Sequence, residues 1–150
     1  MTAASVMDPH PTVLKATDII RTAASFILEH RYRNLPVVDE EGRYLGIFGV
    51  NCLLKLVLPK AAIMEKGLES VSFIKETLAD LHQRLREVEE QPISVCMSQE
   101  VTTVPPDHPL VDTLLILYRS KSSIPVVEPE SGKLVGMISY WDVGEHVLSA

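Results

Sequence analysis

Leu35-Pro36-Val37-Val38-Asp39 recurs 89 residues later as Ile124-Pro125-Val126-Val127-Glu128. A turn glycine follows each copy, Gly42 and Gly132, and then Leu45-Gly46-Ile47-Phe48 is answered by Val135-Gly136-Met137-Ile138 at an offset of 90. The change of one in the offset places an inserted residue in the second turn, where hairpin loops tolerate it. Upstream, Val6-Met7 answers Cys96-Met97 and Thr12-Val13 answers Thr103-Val104. The order of matches is preserved, so the chain is a duplicated unit, and every later residue is read against its counterpart.

Each copy reads as β-α-β-β-α. In the first, a short strand near Thr12 to Leu14 leads to Thr17 as a helix N-cap, then to Ile20, Ala23, Ala24, Ile27 and Leu28 at helical spacing. In the second, Asp107 is the matching cap, Pro109 falls in the first turn, and Leu110, Leu114, Ile116 and Leu117 form the buried face. The runs after each helix, rich in valine and isoleucine and bracketed by proline and glycine, read as hairpins. One copy alone leaves an apolar sheet face uncovered. The fold class expected is α+β, with the two copies packed about a pseudo-twofold axis.

Composition narrows the function. At 150 residues with 46% apolar and 23% charged side chains, the chain can bury a core without metal or disulfide staples. A net charge of -6 opposes a sequence-independent hold on nucleic acid. No apolar run approaches the ~18 residues of a membrane span, and Met1 to Pro11 lacks the pattern of a signal peptide, so a cytoplasmic address is expected. Cys52 and Cys96 lack metal-ligand spacing and read as small buried apolar residues. His10, His82, His108 and His146 are scattered without ligand spacing, and no nucleophile with a base or glycine-rich phosphate loop is present. Neither a metal site nor an enzyme is expected.

The repeats are similar to those of the cystathionine beta-synthase (CBS) domain family. The family's signature is an apolar residue before Pro-Val-Val-acidic, a turn glycine, then apolar-Gly-apolar and a closing helix. Two such repeats resemble a Bateman module, which implies inter-repeat clefts that take adenosine compounds. Ser139-Tyr140-Trp141-Asp142 carries the family's Ser/Thr-x-x-Asp spacing for a ribose and phosphate site. A carboxylate can accept from both hydroxyls of a ribose, and the serine can offer its hydroxyl to a phosphate. By the family's geometry this half-site faces Thr12, Tyr32, Arg33, Asn34 and Pro36, with Arg33 as the phosphate's cation and Tyr32 and Met137 as apolar faces for a purine. Several of these have a second reading. Ser139-x-x-Asp142 is also a helix capping box, Arg33 a solvated charge, and Tyr32 and Met137 core residues. In the first copy Gly49 and Cys52 stand where Ser139 and Asp142 stand in the second, so that cleft lacks hydroxyl and carboxylate.

The expected organisation is repeat 1 over 1–57, a helical segment over 58–94 and repeat 2 over 95–150. In the middle segment Phe73, Ile74, Leu78, Leu81, Leu85 and Val88 recur at threes and fours, predicting an amphipathic helix from about Val71 to Glu90, ended by Gln91-Pro92. Its apolar stripe fits either its own module or a dimer seam, and a homodimer is expected. The resemblance implies a regulatory sensor of AMP, ADP or ATP, with S-adenosylmethionine or NAD as alternative ligands, that signals to a partner protein and needs no cofactor. The competing reading is a structural adaptor with inert clefts that assembles through the middle helix.

Overall fold

The computed structural model describes residues 1–60, 63, 75–120 and 122–149. Among these the elements are β1 (Leu14–Lys15), α1 (Ile20–Glu29), β2 (Asn34–Val38), β3 (Tyr44–Gly49), α2 (Val50–Val57), α3 (Leu78–Arg86), α4 (Leu110–Ser120), β4 (Ile124–Val127), β5 (Leu134–Ile138) and α5 (Tyr140–Ser149). Single turns of 3-10 helix lie at Ala3–Ser5 and Ile93–Val95. The chain divides into two compact units, one of 1–15, 35–47 and 98–150, the other of 16–34 and 48–97.

The first unit holds most of the strands. β1 pairs parallel with β2, Leu14 opposite Val37, and β3 completes a sheet of order β1-β2-β3. In the second copy Val104 bridges Val126 in the same parallel sense, and β4 pairs antiparallel with β5 from Ile124↔Ile138 to Val127↔Leu134. The core of this unit is Ala3, Val6, Val104, Leu117, Ile124, Val126 and Ile138. The inserted residue lies where the offset put it: the Gly42 N–H returns to the Asp39 carbonyl three residues back, and the Gly132 N–H to the Glu128 carbonyl four back. Both glycines are left-handed, φ 82° and 75°, a conformation a side chain disfavours. The two turns also meet: Tyr44 N–H donates to Gly132 O at 2.9 Å and Leu134 N–H to Gly42 O at 3.0 Å.

The second unit holds α1, α2 and α3, and buries Ile20, Ala23, Ala24, Ile27, Phe48, Cys52 and Ile93. Its helix starts correct the sequence reading. Thr17 does not cap α1; the N-cap is Ile19, which makes no side-chain bond. The first-turn donors that lack an intrahelical partner are met by carbonyls instead, Ile20 N–H to Gln91 O at 2.9 Å and Arg21 N–H to Glu89 O at 2.8 Å. The Arg21 guanidinium fastens the same turn by bonding both oxygens of Glu90, at 2.9 and 3.3 Å. In the first unit α4 is treated alike. Leu110 N–H donates to Met1 O at 3.1 Å, and Asp107 stands three residues ahead of the helix in a turn. Each 3-10 segment thus tends the helix start of the repeat that does not follow it, and the bonds correspond one for one. Ala3 N–H to His108 O (2.9 Å) matches Ile93 N–H to Asp18 O (2.8 Å), with both residue numbers displaced by 90.

The middle helix is shorter than its periodicity predicts. Thr77 caps α3 in a reciprocal box with Asp80, and after Arg86 the chain passes into tighter turns, Val88 N–H on Leu85 O at 3.0 Å and Gln91 N–H on Val88 O at 2.9 Å, while the carbonyls of Glu89 and Gln91 accept from the start of α1. Val71 to Ile74, the opening of the expected helix and including Phe73, lie outside the described residues. Arg84 ties α3 to the end of α2, donating to Val57 O at 2.6 Å and to Glu76 at 2.7 Å. Among the described residues no helix is long and apolar enough to cross a membrane, and no three His, Cys, Asp or Glu side chains gather as metal ligands.

Candidate ligand-binding site

The chain leaves β5 at Ile138, and Ser139 is the single residue between it and α5. The Ser139 N–H and Oγ–H both donate to Asp142 Oδ2, each at 2.8 Å, and the Asp142 N–H donates back to Ser139 Oγ at 3.3 Å. This is a capping box, and both bonds to the carboxylate fall on one oxygen. Serine and aspartate are half-buried. The helix continues conventionally, with Val143 N–H on Ser139 O at 3.2 Å, and His146 Nδ1 lies 2.7 Å from the Asp142 carbonyl. Tyr140 fixes the helix from outside through a bond from its hydroxyl to Leu117 O at 3.1 Å.

Met137 is buried, its backbone paired on both sides of β5. It exchanges bonds with Asp8 at 2.8 and 3.0 Å and lies opposite Pro125. That approach explains Gly136: a Cβ there would stand 2.5 Å from Met7 Sδ and 2.9 Å from Asp8 O. Thr12 is exposed just ahead of β1, and Pro36 is wholly buried in β2. With Ser139 and Asp142 these residues belong to the first unit. Tyr32, Arg33 and Asn34 belong to the second.

In the second unit, α1 ends with Arg31 in the left-handed region at φ 59°, and the Tyr32 N–H returns to Ile27 O at 2.9 Å. The turn stacks the Tyr32 ring on His30, centroids 5.6 Å apart and 12° between planes, with Phe26 5.9 Å from Tyr32. Arg33 is exposed, and its carbonyl accepts from Val50 N–H at 3.0 Å. Gly49 lies against this same carbonyl. A Cβ at Gly49 would come within 2.4 Å of Arg33 O, 2.6 Å of Asn34 Cβ and 2.8 Å of Asn34 Cα. The position answering Ser139 therefore has no room for a side chain, and Cys52, answering Asp142, is buried. Burial pushes the Cys96 thiol up to about 11, with Cys52 a second cause, so Cys96 is no thiolate nucleophile at neutral pH.

What the sequence did not reveal is that the Ser139 hydroxyl is already engaged. The i, i+3 spacing of Ser139 and Asp142 signals a capping box and a ribose site equally, and only the folded geometry shows where the proton goes.

A tandem β-α-β-β-α protein with a Ser-x-x-Asp turn after its last strand is the class these features define. The family model described as CBS domain matches residues 3–59 and 85–149. The chain belongs to the CBS domain family, as a tandem pair of repeats of mixed α+β fold. It is 25% identical over 139 residues to the A-adding tRNA nucleotidyltransferase of Aquifex aeolicus, covering 92% of this chain but spanning only 13% of that protein's length. Among solved structures it resembles CBSX2 in complex with AMP, a protein of Arabidopsis thaliana, at 21% identity and TM-score 0.71, over 99% of this chain and 96% of that one. It also resembles the CBS domain pair of protein MJ0100 in complex with 5-methylthioadenosine and S-adenosyl-L-methionine. There the identity is 18% and the TM-score 0.62, over 98% and 99% of the two chains.

Proposed function

We propose that this chain is a regulatory module that binds an adenosine nucleotide, AMP, ADP or ATP, through the ribose-gripping carboxylate of Asp142 and passes the change to a partner protein. The observation that carries the reading is the half-buried Asp142 carboxylate, anchored at the head of α5 with both of its bonds on Oδ2. A vicinal diol is a fitting partner for the acceptor positions left over. CBSX2 with AMP and the MJ0100 pair with two adenosine compounds support the ligand class, S-adenosylmethionine remaining an alternative beside NAD. Nucleotide transfer is an activity of a relative of which this chain spans a small part, and on this proposal the module has no catalytic step of its own.

On this reading repeat 1 occupies 1–57, the helical segment 58–94 and repeat 2 95–150, and the module works as a cytoplasmic homodimer. Met137, Thr12 and Pro36 accompany Ser139 and Asp142, while Tyr32, Arg33 and Asn34 take the roles that the family's pattern gives them. Titration calorimetry with AMP on the wild type, Asp142→Ala and Arg33→Ala is the test. Asp142→Ala should abolish measurable heat, and unchanged affinity in that variant rejects the assignment.

A second reading, a non-binding adaptor, has its own observation: apolar side chains stand exposed on α4 and α5, Val111 and Tyr118 on one, Trp141 and Leu148 on the other. Thermal melting with AMP, ADP, ATP, NAD and S-adenosylmethionine separates the two, because a ligand of the folded state raises the midpoint. No shift with any of them favours the adaptor.

A further inference from the structure

We propose that two copies of this chain join through the second repeat alone, α4 lying antiparallel to its own copy about a twofold axis at Leu115, with the helices of the first repeat left out of the seam. The inference rests on the homodimer part of the reading above. Val111 (75% exposed), Leu115 (42%) and Tyr118 (76%) fall four and three residues apart on α4 and form one outward stripe. Trp141 (85%) and Leu148 (88%), two turns apart, do the same on α5. The Tyr140 hydroxyl on Leu117 O at 3.1 Å holds the head of α5 beside α4, which brings the two stripes alongside each other. Aromatic side chains carry roughly 150–250 Å² each, so this face exceeds the few hundred Å² of apolar patch usual on a monomer and approaches the ~800 Å² per partner of a stable interface. The first repeat has no stripe of this length. α1 turns Arg21, Thr22, Ser25 and Glu29 outward. α2 is packed by α3, with Arg84 donating to Val57 O at 2.6 Å, and only Leu54 and Leu58 of its apolar side chains stand exposed.

Charge identifies the occupant as a second copy. Asp112 and Arg119 border the α4 stripe on one flank, two turns apart, in the first and last turns of the helix. Both are exposed, and among the described residues neither has an ion-pair partner. At 1.5 Å per residue they stand about 4.5 Å before and about 6 Å after Leu115 along the helix axis, nearly equal distances of opposite sign. An antiparallel twofold centred on Leu115 therefore sets Asp112 of one copy against Arg119 of the other, twice, while Val111 meets Tyr118 and Leu115 meets itself. A parallel copy makes neither pair. The stripe is thus complementary to itself in both charge and apolar surface, the condition for an isologous contact.

Sedimentation equilibrium of the full chain is the test. The wild type should be a dimer, and Leu115→Glu, which sets two carboxylates on the axis, should raise its dissociation constant about 100-fold or more. Asp112→Arg and Arg119→Asp should each raise it about tenfold, because every substitution acts twice across a twofold. The double variant Asp112→Arg/Arg119→Asp recovers both pairs in reverse and should return to within about threefold of the wild type. Leu54→Glu, on α2 of the first repeat, should leave the constant unchanged. All these positions are exposed, and the rescue by the double variant cannot come from a misfolded chain. A double variant weaker than either single one overturns the antiparallel axis, and a dimer broken by Leu54→Glu but not by Leu115→Glu overturns the seam; the homodimer reading survives both results. A wild type still monomeric at about 100 µM sinks that reading and this inference together.

Discussion

Replacing Gly49 with serine would copy into the first repeat the residue that opens α5 in the second, and two physical effects pull on the result in opposite directions. Gly49 is the N-cap of α2, and serine in place of glycine at an N-cap is worth a few tenths of a kcal/mol in favour. Against this, the new Cβ would stand 2.4 Å from Arg33 O and 2.8 Å from Asn34 Cα, about an ångström short of van der Waals separation from two backbone atoms. Rotating a side chain cannot relieve contacts with backbone. The start of β2 must retreat, and Val50 N–H then loses the Arg33 carbonyl it holds at 3.0 Å. Overpacking costs about 1–3 kcal/mol and the lost bond about 1, so steric strain dominates and the net loss is roughly 2–4 kcal/mol. In a chain of this size that lowers the thermal midpoint by roughly 5–15 °C. Equilibrium urea unfolding of Gly49→Ser beside the wild type measures it. A variant within about 0.5 kcal/mol of the wild type, or one stabilised as capping alone requires, refutes the packing argument.

Three other outcomes are expected. Gly144 lies within α5 with nothing within 4 Å of an added Cβ, so Gly144→Ala should stabilise by about 0.5–1 kcal/mol in urea unfolding. Among the described residues the buried Tyr44 hydroxyl has no bonding partner, and burial pushes its pKa up to about 12 from the ordinary 10. The folded state therefore holds this proton more tightly than the unfolded one, full stability persists below about pH 10, and it falls as pH rises from 10 to 12. Tyr44→Phe should flatten that fall and remove a phenol that ionises near pH 12 from an ultraviolet alkaline titration; an unchanged titration contradicts the burial. Deleting residues 1–5 removes Met1 O from Leu110 N–H and the two bonds from Ala3 and Ala4 to His108 and Pro106. Amide exchange should then accelerate at Leu110, and retained protection there would show that the segment does not secure α4.

The duplicated pattern was legible because it is written in residue types. Apolar-Pro-Val-Val-acidic and apolar-Gly-apolar register directly as strands, and the added residue of the second turn is a plain count. The helix starts were not legible. Thr17 and Asp107 have the chemistry of caps, yet the donors of α1 and α4 are met by main-chain carbonyls of Glu89, Gln91 and Met1, groups that every residue owns and no pattern reveals. The end of α3 was missed for a related reason: Val88 continues the apolar spacing, but the backbone there has already tightened into i−3 turns, which side-chain types do not record. For the candidate site, the types and spacing of Ser139 and Asp142 were visible, whereas the direction of one hydroxyl proton was not.

The difference between the copies has a physical origin that is larger than one missing carboxylate. Two strands of the same motif run out at Phe48-Gly49 and Ile138-Ser139, and the side chain that each end can carry is set by the backbone lying against it. Gly49 is hemmed by the carbonyl of Arg33, which is itself occupied by Val50, so the first copy cannot gain a side chain there without giving up the bond that starts α2. The second copy carries a side chain there and uses it to orient Asp142. Substituting Cys52 with aspartate would thus supply a carboxylate without the group that holds it, still within a buried position that penalises its charge. On the function proposed above, a single ribose site per chain is a consequence of this packing, and acquiring a second would require the first copy to rebuild the end of its strand before any ligand could contribute.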